Sequence, residues 1–290
     1  MKGTWAFIFV LMAAVLWGTT GTAQTFAPVS THPMALGAVR LAIGGGTLLF
    51  ILILSGQFSL KTRWPVRPIL LAAACMACYQ PFFFSAVYST GVAVGTVVAI
   101  GSAPVLAGML EWIFWKRPAS KIWWAATALS IIGCLMLFVN KDSVYIDPYG
   151  VFMALGAGLT FALYTIVSKE LVDQFTPLMA MAIVFSLSAL LLIPVLFMFD
   201  LTWLREWQGM AVSIHLGVIA TALAYVLFSK GLTSITSSTA VTLSLAEPLT
   251  AALLGVFFVG EQLTTFAWFG ISFIFIGITL LSLKPKLSKL

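Results

Sequence analysis

Three ionisable side chains stand inside long apolar runs: Arg40, Glu111 and Glu247. If those runs cross a membrane, each charge at mid-depth costs about 2.5–3.5 kcal/mol on insertion scales, so each is a functional candidate. Glu247 is about ten residues from either end of its run and cannot snorkel to water. Burial favours the neutral form of such a carboxylate, which suits it to carry a proton or to meet a cationic group of a substrate. The structural alternative is a carboxylate hydrogen-bonded within the bundle. Arg40 begins seven residues inside its run, about 10 Å from the end. It can snorkel part of that way, or pair with a partner such as Glu247 as a structural or gating charge. Glu111 is one turn from the end of its run, close to Lys116 and Arg117, and reads as part of an interfacial ion pair.

Two prolines mark the same regions. Pro104 and Pro248 each remove one helical hydrogen bond, freeing the carbonyls of Ile100 and Ser244. Freed backbone groups are tolerated at membrane depth where they face protein or a watery cavity. Both prolines are candidate hinges. Around them lie Trp17, Tyr79, Gln80, Ser102, Tyr164, Tyr225 and Ser244, which with Glu247 form the candidate substrate-binding set. The deep polar aromatics need hydrogen-bond partners, which a cavity or a neighbouring helix can supply. Trp5, Trp64, Trp112, Trp115, Trp123, Trp203, Trp207 and Trp268 read as interface anchors.

The elements that must position these groups follow from composition. The 290 residues are 61% hydrophobic and 8% charged, with a mean hydropathy of +1.08. A soluble domain carries about 25% charged residues, so the chain is expected to be an all-α integral membrane protein. Apolar runs and turn signals place spans near 5–27, 33–55, 68–88, 91–115, 121–139, 148–168, 177–199, 209–230, 236–259 and 264–283. The uncharged stretch 68–110 is too long for one span, and Ser89-Thr90-Gly91 supplies the turn. The run after Lys2 imitates a signal peptide, but residues 5–27 match 149–171 and are expected to be retained. Gly44-Gly45-Gly46, Gly156, Gly158, Gly101 and Gly108 permit close helix contact.

The second half repeats the first at a gapless offset of 144 residues. Pro33 pairs with Pro177, Phe84-Ser85 with Phe228-Ser229, Pro104 with Pro248, Trp124 with Trp268 and Gly133 with Gly277. Five spans per half is odd, so residues 1–145 and 146–290 are expected to be inverted five-helix repeats. In such transporters the substrate site lies between the repeats near mid-membrane. With the N-terminus in the cytoplasm, short loops place twelve Lys and Arg inside and two outside, which puts both termini in the cytoplasm. Inversion also fits the exchange of Lys116-Arg117 for Gly260-Glu261.

Other chemistries lack their residues. Cys75, Cys78 and Cys134 lie in apolar runs; Cys75-Met76-Ala77-Cys78 has no nearby histidine and reads as packing, with no metal or cofactor expected. The two histidines, His32 and His215, have no adjacent acid or nucleophile motif, so no catalytic residues are expected. The glycine clusters lack the lysine of a phosphate loop, a channel filter signature is missing, and the sparse charge gives no nucleic-acid surface.

Leu16-Trp17-Gly18, His32-Pro33 before Arg40, Phe84-Ser85-Ala86, Ala103-Pro104, Ala246-Glu247-Pro248 and Gly260-Glu261 together resemble the EamA family of the drug/metabolite transporter superfamily. The resemblance spans the whole chain. It implies a basket-like bundle with a central cavity and outward movement of amino acids, related metabolites or amphipathic compounds across the bacterial cytoplasmic membrane. Efflux of hydrophobic cations is the alternative, and a membrane enzyme a weaker one. The expected partners are a small-molecule substrate, membrane lipid and, as a coupling ion, protons. Lys116-Arg117 departs from the family, where many members carry Gly-Glu, which removes any shared role for that glutamate.

Overall fold

Apolar side chains make helices here because a backbone in lipid must satisfy its own hydrogen bonds. The computed structural model describes residues 2–57, 64–116, 118–138, 147–260 and 262–283, and among these no strand occurs. Twelve α-helices follow in order: α1 Lys2–Gln24, α2 Pro33–Leu54, α3 Val66–Trp115, α4 Lys121–Phe138, α5 Pro148–Gln174, α6 Pro177–Leu191, α7 Ile193–Met198, α8 Trp207–Ile214, α9 Ala224–Leu232, α10 Ser237–Leu243, α11 Ala246–Leu254 and α12 Thr265–Leu283. Nine stretches among the described residues are long and apolar enough to cross a membrane, and α4 supplies a shorter tenth at Lys121–Leu137.

Local sequence sets the helix starts. His32 and Thr176, at matching places in the two halves, cap α2 and α6 with their side chains, and Pro33 and Pro177 follow at the first helical positions. Asp147 and Pro148 do the same for α5. His32 also stacks on Phe199 with ring centroids 4.0 Å apart.

The backbone of α3 stays helical for 50 residues, but it is not one rod. A Cβ built on Gly95 would lie 2.9 Å from the Val87 nitrogen, although eight residues of straight helix span about 12 Å. The chain therefore folds back between Val87 and Gly95, as the Ser89-Thr90-Gly91 signal anticipates. The second half breaks its spans more openly. A turn at Leu192 separates α6 from α7, with Pro194 in the first turn of α7. A π-helical segment, His215–Leu223, joins α8 to α9, and another, Gly255–Val259, follows α11.

Packing relates the halves. Gly133 of α4 meets the Gly270 carbonyl of α12, while Gly277 meets Ser130 and Ala126, so these two helices run antiparallel. The same holds for α2 and α6: Ser186 Oγ donates to the Gly45 carbonyl at 3.2 Å, and Thr176 Oγ1 donates to Gln57 Oε1 at 3.3 Å. Both pairs are matched by the 144-residue offset. The other main contacts cross over. Helix α1 packs on α9, where Gly231 faces Val10 and Ala6, and on α11, where Gly18 faces Glu247 and Thr250. Helix α5 packs on both arms of α3, with Gly156 against Phe82 and Gly158 against Ser102 and Ala99. Gly44 and Gly45 sit against Thr221 and Phe185, and Gly108 against Trp123, as small residues at close contacts should; Gly46 and Gly101 have open space or ordinary contact.

Three sequence expectations change. Trp203 and Trp123 are not interface anchors: they are 1% and 4% exposed, and Trp203 Nε1 donates to the Asp200 carbonyl at 3.0 Å. Both occupy space left by glycines, Trp203 beneath Gly209 and Trp123 beneath Gly108, which a count of tryptophans near span ends does not register. Trp5, Trp112, Trp115, Trp207 and Trp268 are exposed, and Trp64 stacks on Phe175. Glu111 gains partners beyond the expected neighbours. Its Oε1 accepts from the Ser237 nitrogen at 2.7 Å and its Oε2 from Ser238 Oγ, so the carboxylate seals the start of α10 from across the bundle. Arg117 lies outside the described residues.

These contacts give two stability expectations, each read by thermal unfolding of the purified protein. Gly270→Leu should wedge α12 off α4 and lower stability by about 1–3 kcal/mol, whereas Gly46→Ala, with nothing within 4 Å, should be neutral or better. Glu111→Ala should cost about 1.5–3 kcal/mol, the worth of hydrogen bonds to a charged group, and Glu111→Gln distinctly less. Equal midpoints for the wild type and Glu111→Ala would remove that tie from the account.

Candidate functional site

The deep aromatics found in the sequence meet at the centre of the bundle. Trp17 of α1 lies 4.8 Å from Tyr225 of α9 between ring centroids, and Tyr225 lies 5.8 Å from Tyr164 of α5. Tyr79 of α3 joins through Phe161, which is 6.0 Å from both Tyr79 and Trp17. Phe185 and Phe228 complete the cluster, 4.5 Å from Tyr225 and 5.2 Å from Trp17. Five helices from both halves contribute.

Sequence reading missed Phe161, Phe185 and Phe228 because nothing polar flags them. The repeat offered a signal for one: Phe161 is the offset partner of Trp17, and the two rings meet edge to face. Two of the three tyrosine hydroxyls find sulfur. Tyr164 Oη donates to Met181 Sδ at 3.1 Å, and Tyr225 Oη reaches Met76 Sδ at 4.0 Å.

Beside this cluster sit the two charges. Glu247 opens α11, and its backbone carbonyl lies under Gly18, next to Trp17. It lies within electrostatic range of Arg40 of α2, Tyr79 of α3, Cys134 of α4 and Tyr225 of α9. Arg40 and Glu247 are thus within Coulomb reach without touching. Among the described residues the ion pair within 4 Å is Lys169–Asp173, at 3.2 Å. Arg40 Nε, Gln80 Nε2 and Trp17 Nε1 are buried donors with no hydrogen-bond partner among the described residues. Gln80 Oε1 lies against Gly37, one turn from Arg40. Such unpaired donors are costly, and an acceptor brought among them would be held firmly.

Other candidates are placed differently. Ser102 and Ser244 spend their hydroxyls on their own helices, donating to the carbonyls of Ala99 at 3.2 Å and Val241 at 2.7 Å. The two prolines are not equivalent. Pro104 lies within unbroken helix, whereas Pro248 follows a break at Ser244-Leu245 between α10 and α11. The Ser244 carbonyl, expected to be free, accepts from the Glu247 nitrogen at 2.9 Å, so a tight turn re-uses the group that Pro248 releases. His215, without an acid in sequence, bonds Thr19 Oγ1 through Nε2 at 2.8 Å and ties the π-helical segment to α1. The three cysteines are free thiols, Cys75 and Cys134 buried and Cys78 exposed.

A cavity of about 620 Å³ lies elsewhere, between α2, the start of α6 and the π–α9 span. None of the residues picked from the sequence lines it.

The overall fold has a counterpart among solved structures, and the sequence has relatives among known proteins. A crystal structure superposes with a TM-score of 0.84 at 19% identity, covering 96% of this chain and 96% of that one. The uncharacterized transporter YwfM of Bacillus subtilis (strain 168) is 50% identical over 290 residues, 100% of this chain and 97% of that protein. The threonine/homoserine exporter RhtA of Escherichia coli (strain K12) is 27% identical over 266 residues, 90% of this chain and 85% of that protein. An uncharacterized transporter of Archaeoglobus fulgidus is 28% identical over 270 residues, 93% of each. The model of the EamA-like transporter family matches twice, at residues 4–139 and again at 148–283. On this twofold match across nearly the whole sequence, the chain belongs to the EamA-like transporter family.

Proposed function

We propose that this multi-pass membrane protein is a secondary transporter that moves amino acids or related amphipathic metabolites outward across the cytoplasmic membrane by alternating access. The observation that carries the reading is the pairing of charges at the centre. Arg40 and Glu247, of opposite sign and within Coulomb reach but out of contact, stand beside an aromatic cluster and unpaired buried donors. A zwitterion fits that arrangement. Its carboxylate meets Arg40, Gln80 Nε2 and Trp17 Nε1; its ammonium meets Glu247 and the aromatic faces. The family and the exporter named among the relatives support the same substrate class. Hydrophobic-cation efflux is the second reading, favoured by Glu247 among aromatic rings.

The moving parts in this reading are two inverted repeats, residues 1–145 and 146–290. Antiparallel packing of offset-matched helices supports it, as does the double family match. Pro104 and Pro248 are the proposed flex points, with the break beside Pro248 as the softer one. Trp17, Tyr79, Gln80, Tyr164, Tyr225 and Glu247 form the proposed binding surface, with Ser102 and Ser244 at its edges. Protons are the proposed coupling ion, carried at Glu247. Both termini are placed in the cytoplasm on the bias of loop lysines and arginines.

Purified protein in liposomes should transport members of an amino-acid panel, faster when an imposed pH gradient drives efflux. Glu247→Gln keeps shape and hydrogen bonding but cannot ionise; it should fold normally and lose transport about tenfold or more, matching ~1.5–3 kcal/mol for a charge-assisted bond. Wild-type rate and pH dependence in that variant would dismiss ionisation at Glu247. Topology is checked with single cysteines at Thr233 and Asp200 in a variant lacking the native three. An impermeant thiol reagent added to intact cells should label the Asp200 position and spare Thr233; the reverse pattern overturns the orientation.

A further inference from the structure

We propose that the lateral cavity between α2, α6 and the π–α9 span is a binding groove for one anionic phospholipid of the leaflet on the side of the α1 N-terminus. At about 620 Å³ the cavity has the size of a ligand site. Its walls are apolar along most of their length, built from Leu48 and Ile51 of α2 and Ala222, Leu223 and Val226 across the groove. Apart from Thr47 of α2, the polar groups gather at one end. Lys230 lies at the close of α9, while Gln57 and Thr176 flank the junction of α2 and α6, linked by their 3.3 Å hydrogen bond.

The groove's length matches a leaflet. From Lys230 back to Val218 is twelve helical residues, at most about 18 Å because the part up to Leu223 is π-helical and rises less per residue, or about half of the roughly 30 Å hydrocarbon core. Ile51 and Leu223 are 44% and 45% exposed, so the groove opens sideways, toward lipid. Lys230 is exposed and its Nζ stays 5.9 Å from the Phe9 ring centroid, at the mouth. One end thus offers the Lys230 ammonium and the Gln57 amide, the latter held by the Thr176 hydroxyl, and the rest is hydrocarbon apart from Thr47. A phosphodiester headgroup with an acyl chain has that same division. A soluble zwitterion does not, because the apolar wall would leave its second charge unpaired.

Charge complementarity favours an anionic headgroup over a neutral one. Each lysine near an anionic surface is worth about 1 kcal/mol, or roughly fivefold in affinity. The repeat shows that the feature is specific to this side: the offset partners of Lys230 and Gln57 are Ala86 and Leu201, so the matching place in the other half carries neither group. The leaflet assignment rests on the orientation proposed above, but the binding itself does not, and is read in detergent without any transport measurement.

The test is native mass spectrometry of the full purified chain titrated with phosphatidylglycerol or with phosphatidylcholine of the same acyl chains. Wild type should retain phosphatidylglycerol at about fivefold lower concentration than phosphatidylcholine. Lys230→Gln should bring the two lipids to parity, and Leu223→Trp, which narrows the mouth, should weaken both. Equal retention of the two lipids by wild type, or an undiminished preference in Lys230→Gln, would overturn the proposal. So would unchanged retention in Leu223→Trp, which would place the bound lipid elsewhere.

Discussion

A guanidinium and a carboxylate kept apart at the centre of an apolar bundle are the constraint around which this protein is arranged. Arg40 and Glu247 are each only partly exposed, and neither has closed the gap to form an ion pair. Isolated charges are among the most expensive things to bury, and a bundle of this size gains nothing in stability from holding two of them out of contact. The helices around them have accordingly given up side chains to come close. Gly18 lets α1 lie on the Glu247 carbonyl, Gly37 lets α2 lie on Gln80, and Gly217 brings the π-helical segment against Ile43 and Arg40. Packing volume has been spent on fixing the positions of polar groups.

The repeat supplies the frame and its departures supply the chemistry. Offset-matched helices meet each other antiparallel, and each half's first helix packs on the other half's third and fourth spans. Trp17 and Phe161 are partners in the repeat and touch at the centre. Yet the partner of Arg40 is Val184, and the partner of Glu247 is Ala103. The broken helices follow the same division: α10–α11 opens at Ser244-Leu245, whereas the corresponding arm of α3 runs through Pro104 without a gap. Offset-matched helices with unduplicated charge would give the proposed site one place at the meeting point instead of two.

Most of the architecture was legible because it depends on run length and on punctuation. Span positions follow from uncharged stretches, and His32-Pro33 and Thr176-Pro177 do start helices. The deep aromatics could be picked out because a polar ring in an apolar run is rare. What was not legible depends on turns and packing that only the assembled fold supplies, some of it local and some distant in sequence. Trp203 and Trp123 are buried beneath glycines on other segments, the Ser244 carbonyl is re-used by a turn, and Glu111 reaches across to α10. Phe185 and Phe228 look like any other membrane phenylalanine until the fold places them against Tyr225 and Trp17. The π-helical segments have no composition of their own to announce them.

If the halves rock about this centre, the two faces must open in opposite senses. Spin labels at Lys121 and Thr233 report the gap between the halves on the face of the α1 N-terminus, and labels at Tyr88 and Gln262 report the gap on the other. Pulsed double-resonance distances, taken in lipid across a range of pH and with the amino acid that transports best, measure both directly. Rocking of the halves should give two populations for each pair, with one distance lengthening as the other shortens. A single distance at each face, unmoved by substrate and pH, would contradict it.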